Sequence, residues 1–389
     1  MQLGLVGKPN VGKSTFFRCI TDSDADIGNY PFTTVDPNTG VGYVVVDCPC
    51  RRLDVDCDAD RCMDGRRKVP VNVADVAGLV PGAAEGRGMG NAFLDDVREA
   101  DALVHVVDVS GRTDASGEPT EGYDPVDDVA FVEEEFDAWL LSLVEERWDD
   151  MLKALQSADA RPDELLAERL SGLGITHGDV AAVLEADAAE LQNWEREELA
   201  GFVTRLREEA KPILYACNKI DVPGAEENLE RLRDAFPDRT VVPVSAQAEL
   251  QLQQAAAQGK IDYVPGDDGF DIVGELSAEQ EDGLEQVRTL LEEYGGTGVQ
   301  QVMRTAVFDL LDMIVVYPVE DAARYEDQHG NVLPDAVLLP RGATPVDLAY
   351  AIHSDIGDDY AAAVDAESGR AVGKDTALED GQVVKIETQ

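Results

Sequence analysis

The chain has 389 residues, 79 of them acidic against 32 lysines and arginines, for a formal net charge of −47. Its length and its 44% hydrophobic content allow two or three compact units rather than one, and no apolar run approaches the ~20 residues that span a bilayer. The acids are spread over the whole length, which excludes a broad basic footprint for nucleic acid and is expected of a protein working in a K⁺-rich, high-salt cytoplasm.

An apolar strand, Leu3 to Val6, runs into Gly7-Lys8-Pro9-Asn10-Val11-Gly12-Lys13-Ser14-Thr15, and Thr15 to Ile20 reads as the helix that follows. Every fixed position of the phosphate-binding loop is satisfied. The order strand, glycine-rich turn, helix is what the chemistry needs, because backbone N–H groups and a helix N-terminus then face the phosphates. Lys13 is expected to reach the β and γ phosphates and Ser14 to ligate Mg²⁺. The metal needs a second hydroxyl, which Thr33 or Thr34 supplies from Asn29-Tyr30-Pro31-Phe32-Thr33-Thr34; Thr34 is preferred.

Four of the six cysteines, Cys48, Cys50, Cys57 and Cys62, then fall within fifteen residues. Such density points to a metal or redox site rather than a disulfide framework. With Cys48 and Cys50 on one face of a strand, a following loop would bring in Cys57 and Cys62 to complete a tetrahedral Zn²⁺ site; packed or redox-labile thiols are the other readings. Arg51, Arg52, Arg61, Arg66, Arg67 and Lys68 form the densest basic cluster, a candidate surface for RNA phosphates, unless Asp54, Asp56, Asp58, Asp60 and Asp64 neutralise it. Next, Val69 to Val73 alternates as a strand and ends in Asp75-Val76-Ala77-Gly78. Asp75 is placed to hold the Mg²⁺ water shell and the Gly78 N–H to sense the γ-phosphate, with the glycine-rich stretch from Gly82 to Gly90 as the switch that responds. His105, in the apolar run from Ala102 to Val107, is expected in the core, as are Cys19 and Cys217.

Asp127 to Leu206 carries apolar residues at helical spacing and reads as two or more amphipathic helices, a packed appendage or a partner-binding arm. After the strand from Pro212 to Ala216 comes Asn218-Lys219-Ile220-Asp221. Asp221 can accept from N1–H and the 2-amino group of guanine. Against adenine the same carboxylate would be left unpaired, a penalty of about 1–3 kcal/mol or more. Ser245-Ala246, after the strand Val241 to Val244, stands where a backbone N–H meets guanine O6. Beyond Val307 the texture changes: Met313 to Val316 is a strand, Thr344 caps a helix that begins at Pro345 and runs to Ile352, and Val383 to Ile386 is a closing strand. His353, at that helix end, is structural or an RNA contact.

In this order the motifs resemble the Obg-related GTPases. The segments Tyr30 to Asn38, Asp75 to Ala83 and the region from about Val307 narrow the resemblance to the YchF-like branch in its archaeal and fungal form. It implies an α/β fold: a P-loop GTPase with a Rossmann-like, mostly parallel sheet over residues 1–124 and 207–304, a helical insertion over 125–206, and a C-terminal β-grasp TGS domain over 305–389. It also implies a cytoplasmic, Mg²⁺-dependent GTPase, with GTP and GDP as ligands, the ribosome or its RNA as partner and no membrane role. The better-known YchF proteins end the Asn-Lys-x-Asp element in glutamate and are associated with ATP, so Asp221 argues for GTP. An ATPase and an RNA-binding scaffold with negligible turnover are the alternatives. Leu79 stands where many GTPases place a water-orienting glutamine, so turnover is expected to be slow. Asn10 resembles the asparagine that helps hold K⁺ beside the phosphates in cation-activated GTPases, and Glu85 or Arg87 is the other source of help.

Overall fold

The structure, a computed structural model, describes residues 1–21, 39–57, 62–76, 97–146, 148–155, 161–186 and 188–389. Along the chain come β1 (Gln2–Val6), α1 (Lys13–Ile20), β2 (Thr39–Asp47), α2 (Cys50–Leu53), β3 (Cys62–Met63), β4 (Arg66–Asp75) and β5 (Ala102–Asp108). The helices α3 (Val126–Glu145), α4 (Trp148–Ala154), α5 (Pro162–Leu170), α6 (His177–Val183), α7 (Ala188–Leu191) and α8 (Arg196–Ala210) precede β6 (Ile213–Asn218), α9 (Ala225–Ala235), β7 (Val241–Val244) and α10 (Ala246–Ala257). There follow β8 (Ile261–Asp262), β9 (Asp271–Ile272), α11 (Ala278–Tyr294), α12 (Val299–Arg304), β10 (Met313–Val319), β11 (Val337–Pro340), α13 (Pro345–Ile352), α14 (Ser354–Asp358), β12 (Tyr360–Asp365), β13 (Arg370–Val372) and β14 (Val383–Thr388). Among the described residues no helix is long and apolar enough to cross a membrane.

The chain divides into two units, one holding Met1–Cys19 and Asn72–Gln251, the other Val41–Val71 and Leu252–Gln389. In the first, the C-terminal half of β4 and then β1, β5, β6 and β7 lie side by side, all parallel. Every residue of β5 and of β6 is buried, as expected of inner strands covered on both faces. Gly4 permits a close approach in β1, where a Cβ would stand 2.8 Å from Leu103 Cδ2. The helices between β5 and β6 have their own core, with Leu140, Met151, Leu166, Phe202 and Leu206 fully buried or nearly so, and Trp148 stacks on Trp194. A polar seam attaches them to the sheet: buried Arg207 on α8 donates to Asp137 on α3 at 2.6 Å, and Tyr215 of β6 donates to Glu133 on α3.

In the second unit, β3 and β4 form a hairpin beside β2. Cys50 does not share a strand face with Cys48, contrary to the sequence expectation. Pro49 lacks a ladder N–H and has φ −61°, so the chain leaves β2 and turns directly into α2. The C-terminal sheet has the order β11-β10-β14-β12-β13. Ile314, Val316, Ala363 and Val384 on its strands bury against Leu348 of α13. Thr344 caps α13 as expected: Asp347 N–H donates to its hydroxyl, and the Thr344 N–H and hydroxyl donate to Asp347 Oδ2, both at 2.7 Å. The strands β10 and β14 run three and two residues beyond the expected ends.

Candidate nucleotide-binding site

In the first unit each motif lies at the carboxyl end of a parallel strand. The P-loop follows β1, Asp75 ends β4, Asp108 ends β5, Asn218 ends β6 and Ser245 follows β7. That edge is where ligands bind in open parallel α/β sheets.

Asn218 ties three of these turns together. Its Nδ2 donates to Val11 O at 2.8 Å, and its Oδ1 accepts from Ala246 N at 3.0 Å. Gly12 is required beside it: φ is +96°, and a Cβ would stand 2.3 Å from Asn218 Nδ2. Ser245 is fully buried and caps α10 by accepting from Ala248 N at 3.1 Å. The Ala246 N–H is therefore engaged by Asn218, and a guanine O6 would have to share it.

Lys219 holds the next layer. It adopts φ 68°, and its Nζ donates to Asn10 O at 2.8 Å and pairs with Asp108 Oδ2 at 2.7 Å. Asp108 also accepts from Ser110 N and from the Ser110 and Thr113 hydroxyls. Burial works against its charge, but these donors hold its carboxyl below the usual range. Asp221 is exposed two residues beyond Lys219.

Lys8 turns inward and serves the fold. Its Nζ pairs with Asp128 of α3 at 2.7 Å, donates to Thr113 O at 2.9 Å and lies 4.0 Å from the centre of the Tyr123 ring. Tyr123 OH donates to Asp128 at 3.0 Å. Burial pushes the Asp128 carboxyl up despite the Lys8 charge. Asn10 Nδ2 donates to Gly117 O at 2.9 Å, and a Cβ on Gly117 would stand 2.4 Å from Pro9 O. Residues 110–123 are thus fastened along the P-loop. His105 is buried with Nδ1 unpartnered among the described residues, and burial, then the Lys8 charge, lowers its pKa from 6.5 to about 3.

At the phosphate end, Lys13 pairs with Asp75 and donates to Val76 O at 2.6 Å. It must leave Asp75 to meet a phosphate. The Ser14 hydroxyl on the exposed first turn of α1 and the partly exposed Asp75 carboxylate are hard oxygen donors of the type Mg²⁺ takes, so the residues present fit that ion. Thr33, Thr34, Gly78, Leu79, Glu85 and Arg87 lie outside the described residues.

In the second unit each described arginine of the basic cluster has a protein partner, Arg67 buried and Arg51 and Arg52 still exposed to solvent. Arg67 is 1% exposed and donates to Leu333 O at 2.6 Å and Pro334 O at 3.0 Å. Arg52 pairs with Glu367, Arg66 lies 3.4 Å from Asp267 and Arg51 3.0 Å from Asp64. Arg61, Asp58 and Asp60 lie outside the described residues.

Known proteins bear on this arrangement. Residues 2–140 match the 50S ribosome-binding GTPase family, 216–321 the Obg-like GTPase YGR210-like, G4 motif-containing domain, and 329–388 the TGS domain. An uncharacterized GTP-binding protein of Methanocaldococcus jannaschii is 47% identical over 99% of this chain and 98% of its own. The chain belongs to the Obg-like, YchF-type GTPase family. A crystal structure of a GTP binding protein from Pyrococcus horikoshii OT3 has the same fold, with a TM-score of 0.77 and 36% identity over all of both chains. A more distant family member, the ribosome-binding ATPase YchF of Haemophilus influenzae, is 32% identical over 67% of this chain and 69% of its own. The family assignment agrees with the resemblance in the sequence, including the α/β P-loop domain and the C-terminal TGS domain. Sequence reasoning missed Asp108, Thr113 and Asp128. For Asp108 and Thr113 the available signal was an acid closing an apolar run interrupted only by His105, followed by hydroxyl residues.

Proposed function

We propose that the protein binds GTP in preference to ATP, hydrolyses it slowly with Mg²⁺, and uses the bound nucleotide to control association with the ribosome in the cytoplasm. The observation that carries this reading is the Asn218 bridge, which joins the P-loop, the Asn-Lys-x-Asp turn and the Ser245-Ala246 turn and leaves Asp221 exposed beside them. Lys13 and the α1 N-terminus take the phosphates, Ser14, Asp75 and Thr34 serve Mg²⁺, and Gly78 senses the γ-phosphate. When bound, the ion neutralises phosphate charge. K⁺ beside Asn10 supplies further charge, in place of a glutamine at Leu79. The Asn10 Nδ2 bond to Gly117 O leaves its amide oxygen for that cation. We assign 1–124 and 207–304 to the GTPase domain, 125–206 to the insertion and 305–389 to the TGS domain. The ribosomal partner is supported by relatives named for ribosome binding.

The test is GTP and ATP hydrolysis side by side in concentrated KCl with Mg²⁺, for the parent and Asp221→Asn. A GTP preference that falls about 10- to 100-fold in the variant supports the reading, as loss of a charged hydrogen-bond partner predicts. Equal use of ATP by the parent overturns it in favour of an ATPase, the activity named in the Haemophilus relative. Co-sedimentation with ribosomes that ignores GTP versus GDP overturns the switch.

A further inference from the structure

The sulfurs of Cys48, Cys50, Cys57 and Cys62 all lie within 4.8 Å of one another. Local structure brings them together from four places: Cys48 just after β2, Cys50 opening α2, Cys57 beyond that helix, and Cys62 opening β3. The Asp64-Gly65 turn, with φ 45° and 79°, folds β3 back onto β4, and Cys48 N–H donates to Gly65 O at 2.8 Å.

Cys48 and Cys57 are 3.8 Å apart, Cys50 and Cys62 3.7 Å. A disulfide needs about 2.05 Å, so neither pair is bonded. Four sulfurs around one tetrahedral ion, with Zn–S bonds of about 2.3 Å, stand about 3.8 Å apart along every edge. The two pairs share no residue, so they are opposite edges of such a tetrahedron, and both have its length.

We propose that Cys48, Cys50, Cys57 and Cys62 form a structural Zn²⁺ site that closes the β2–β4 finger. Four protein ligands fill the tetrahedral shell, which leaves no position for a reacting water and makes the site structural. The surroundings suit an anionic tetrathiolate. Cys50 N–H donates to the Cys48 sulfur. Arg67 stands directly opposite Cys62 in the hairpin register, so both side chains leave the same face. It is buried, with Nε and Nη1 unpartnered among the described residues. The Tyr317 hydroxyl is likewise buried and unpartnered there, within electrostatic reach of Cys48. Buried donors of this kind call for acceptors, and a metal-held thiolate is a stronger acceptor than the weakly accepting neutral thiol.

The site has work to do within its unit. Arg52, two residues after Cys50, donates to Gly381 O at 2.6 Å and pairs with Glu367, while Arg67 grips Leu333 O and Pro334 O. Both contacts hold the C-terminal TGS region, so the ion fixes the finger that grasps it. On binding, the thiol protons leave to solvent and no electrons are exchanged.

The experiment is metal analysis of the full chain purified in concentrated KCl without chelator, followed by exchange with Co²⁺. About one zinc per chain, and the absorption of tetrahedral thiolate-bound Co²⁺ after exchange, are expected. Alkylation should spare the four thiols until a chelator strips the metal. Cys57→Ser should lose zinc and expose the TGS region to limited proteolysis, while nucleotide binding stays as in the parent. A parent chain without zinc whose four thiols alkylate freely, or whose mass shows two disulfides, overturns the proposal without any variant having to fold. Zinc retained when all four cysteines are replaced overturns it too.

Discussion

In the first unit the turns at the strand ends are joined by one amide side chain, Asn218, and by pairs in which lysine meets a buried aspartate: Lys219 with Asp108, Lys8 with Asp128. In the second, guanidinium groups of Arg52 and Arg67 reach backbone carbonyls of the TGS region, and four sulfurs gather the finger that carries them. Carboxylates are abundant in this chain and cations are scarce, at 79 against 32. In each region one scarce cation, Lys8 or Arg67, is buried where it fastens distant segments. Lys8 shows the consequence most directly: it belongs to the phosphate loop by sequence and to the α3 anchor by structure.

The largest expected effect is at that residue. Lys8→Met leaves Asp128 buried without its partner and should lower stability by about 3–5 kcal/mol, whereas Lys8→Met with Asp128→Leu should recover much of the loss. All three tryptophans, Trp139, Trp148 and Trp194, belong to the first unit, so unfolding followed by tryptophan emission reads that unit alone. If the double variant is no better than the single, the ion pair is not what fastens α3.

A second change separates the units by pH. His105 stays neutral in the fold, its pKa lowered from 6.5 to about 3. Between those values an unfolded chain binds a proton that the folded one refuses, so stability present above pH 6.5 is lost on acidification, at about 1.4 kcal/mol per pH unit. His105→Leu should flatten that loss, again seen in tryptophan emission. An unchanged acid limb would assign it to carboxylates such as Asp108, whose lowered pKa acts with the same sign but below the usual carboxylate range.

In the second unit, Arg52→Gln should reduce stability by about 1 kcal/mol, the scale of a partly exposed charged hydrogen bond. Arg51→Ala, which removes an exposed pair with Asp64, should cost less than about 0.5 kcal/mol, a difference resolved by denaturant titration of the two variants in parallel. Equal costs would mean that the contact with the TGS region is no firmer than a surface pair.

Much of this was legible in sequence because it is local. A glycine-rich turn between strand and helix, an Asn-Lys-x-Asp after an apolar run, and a threonine three residues before an aspartate each specify their own geometry, and the structure places the P-loop, the β6 turn and the α13 cap accordingly. The partners of Lys8, Lys219 and Arg67 lie 105, 111 and 266 positions away or more. No periodicity connects such pairs, and a basic residue beside a motif reads as part of it. The cysteines fall between these cases. Their density suggested a cluster, but Pro49 changed the local structure that assembles it.

The hydrogen bond from Asn218 to Val11 O joins residues 207 positions apart. During synthesis the phosphate loop is therefore among the first segments to emerge and among the last in its unit to be finished. Its buried carbonyl meets no amide until the whole helical insertion and β6 have left the exit tunnel, and contacts of such separation form slowly. A nascent chain shorter than about 220 residues should hold no nucleotide, so binding competence arrives late, only once the helical insertion and β6 are out.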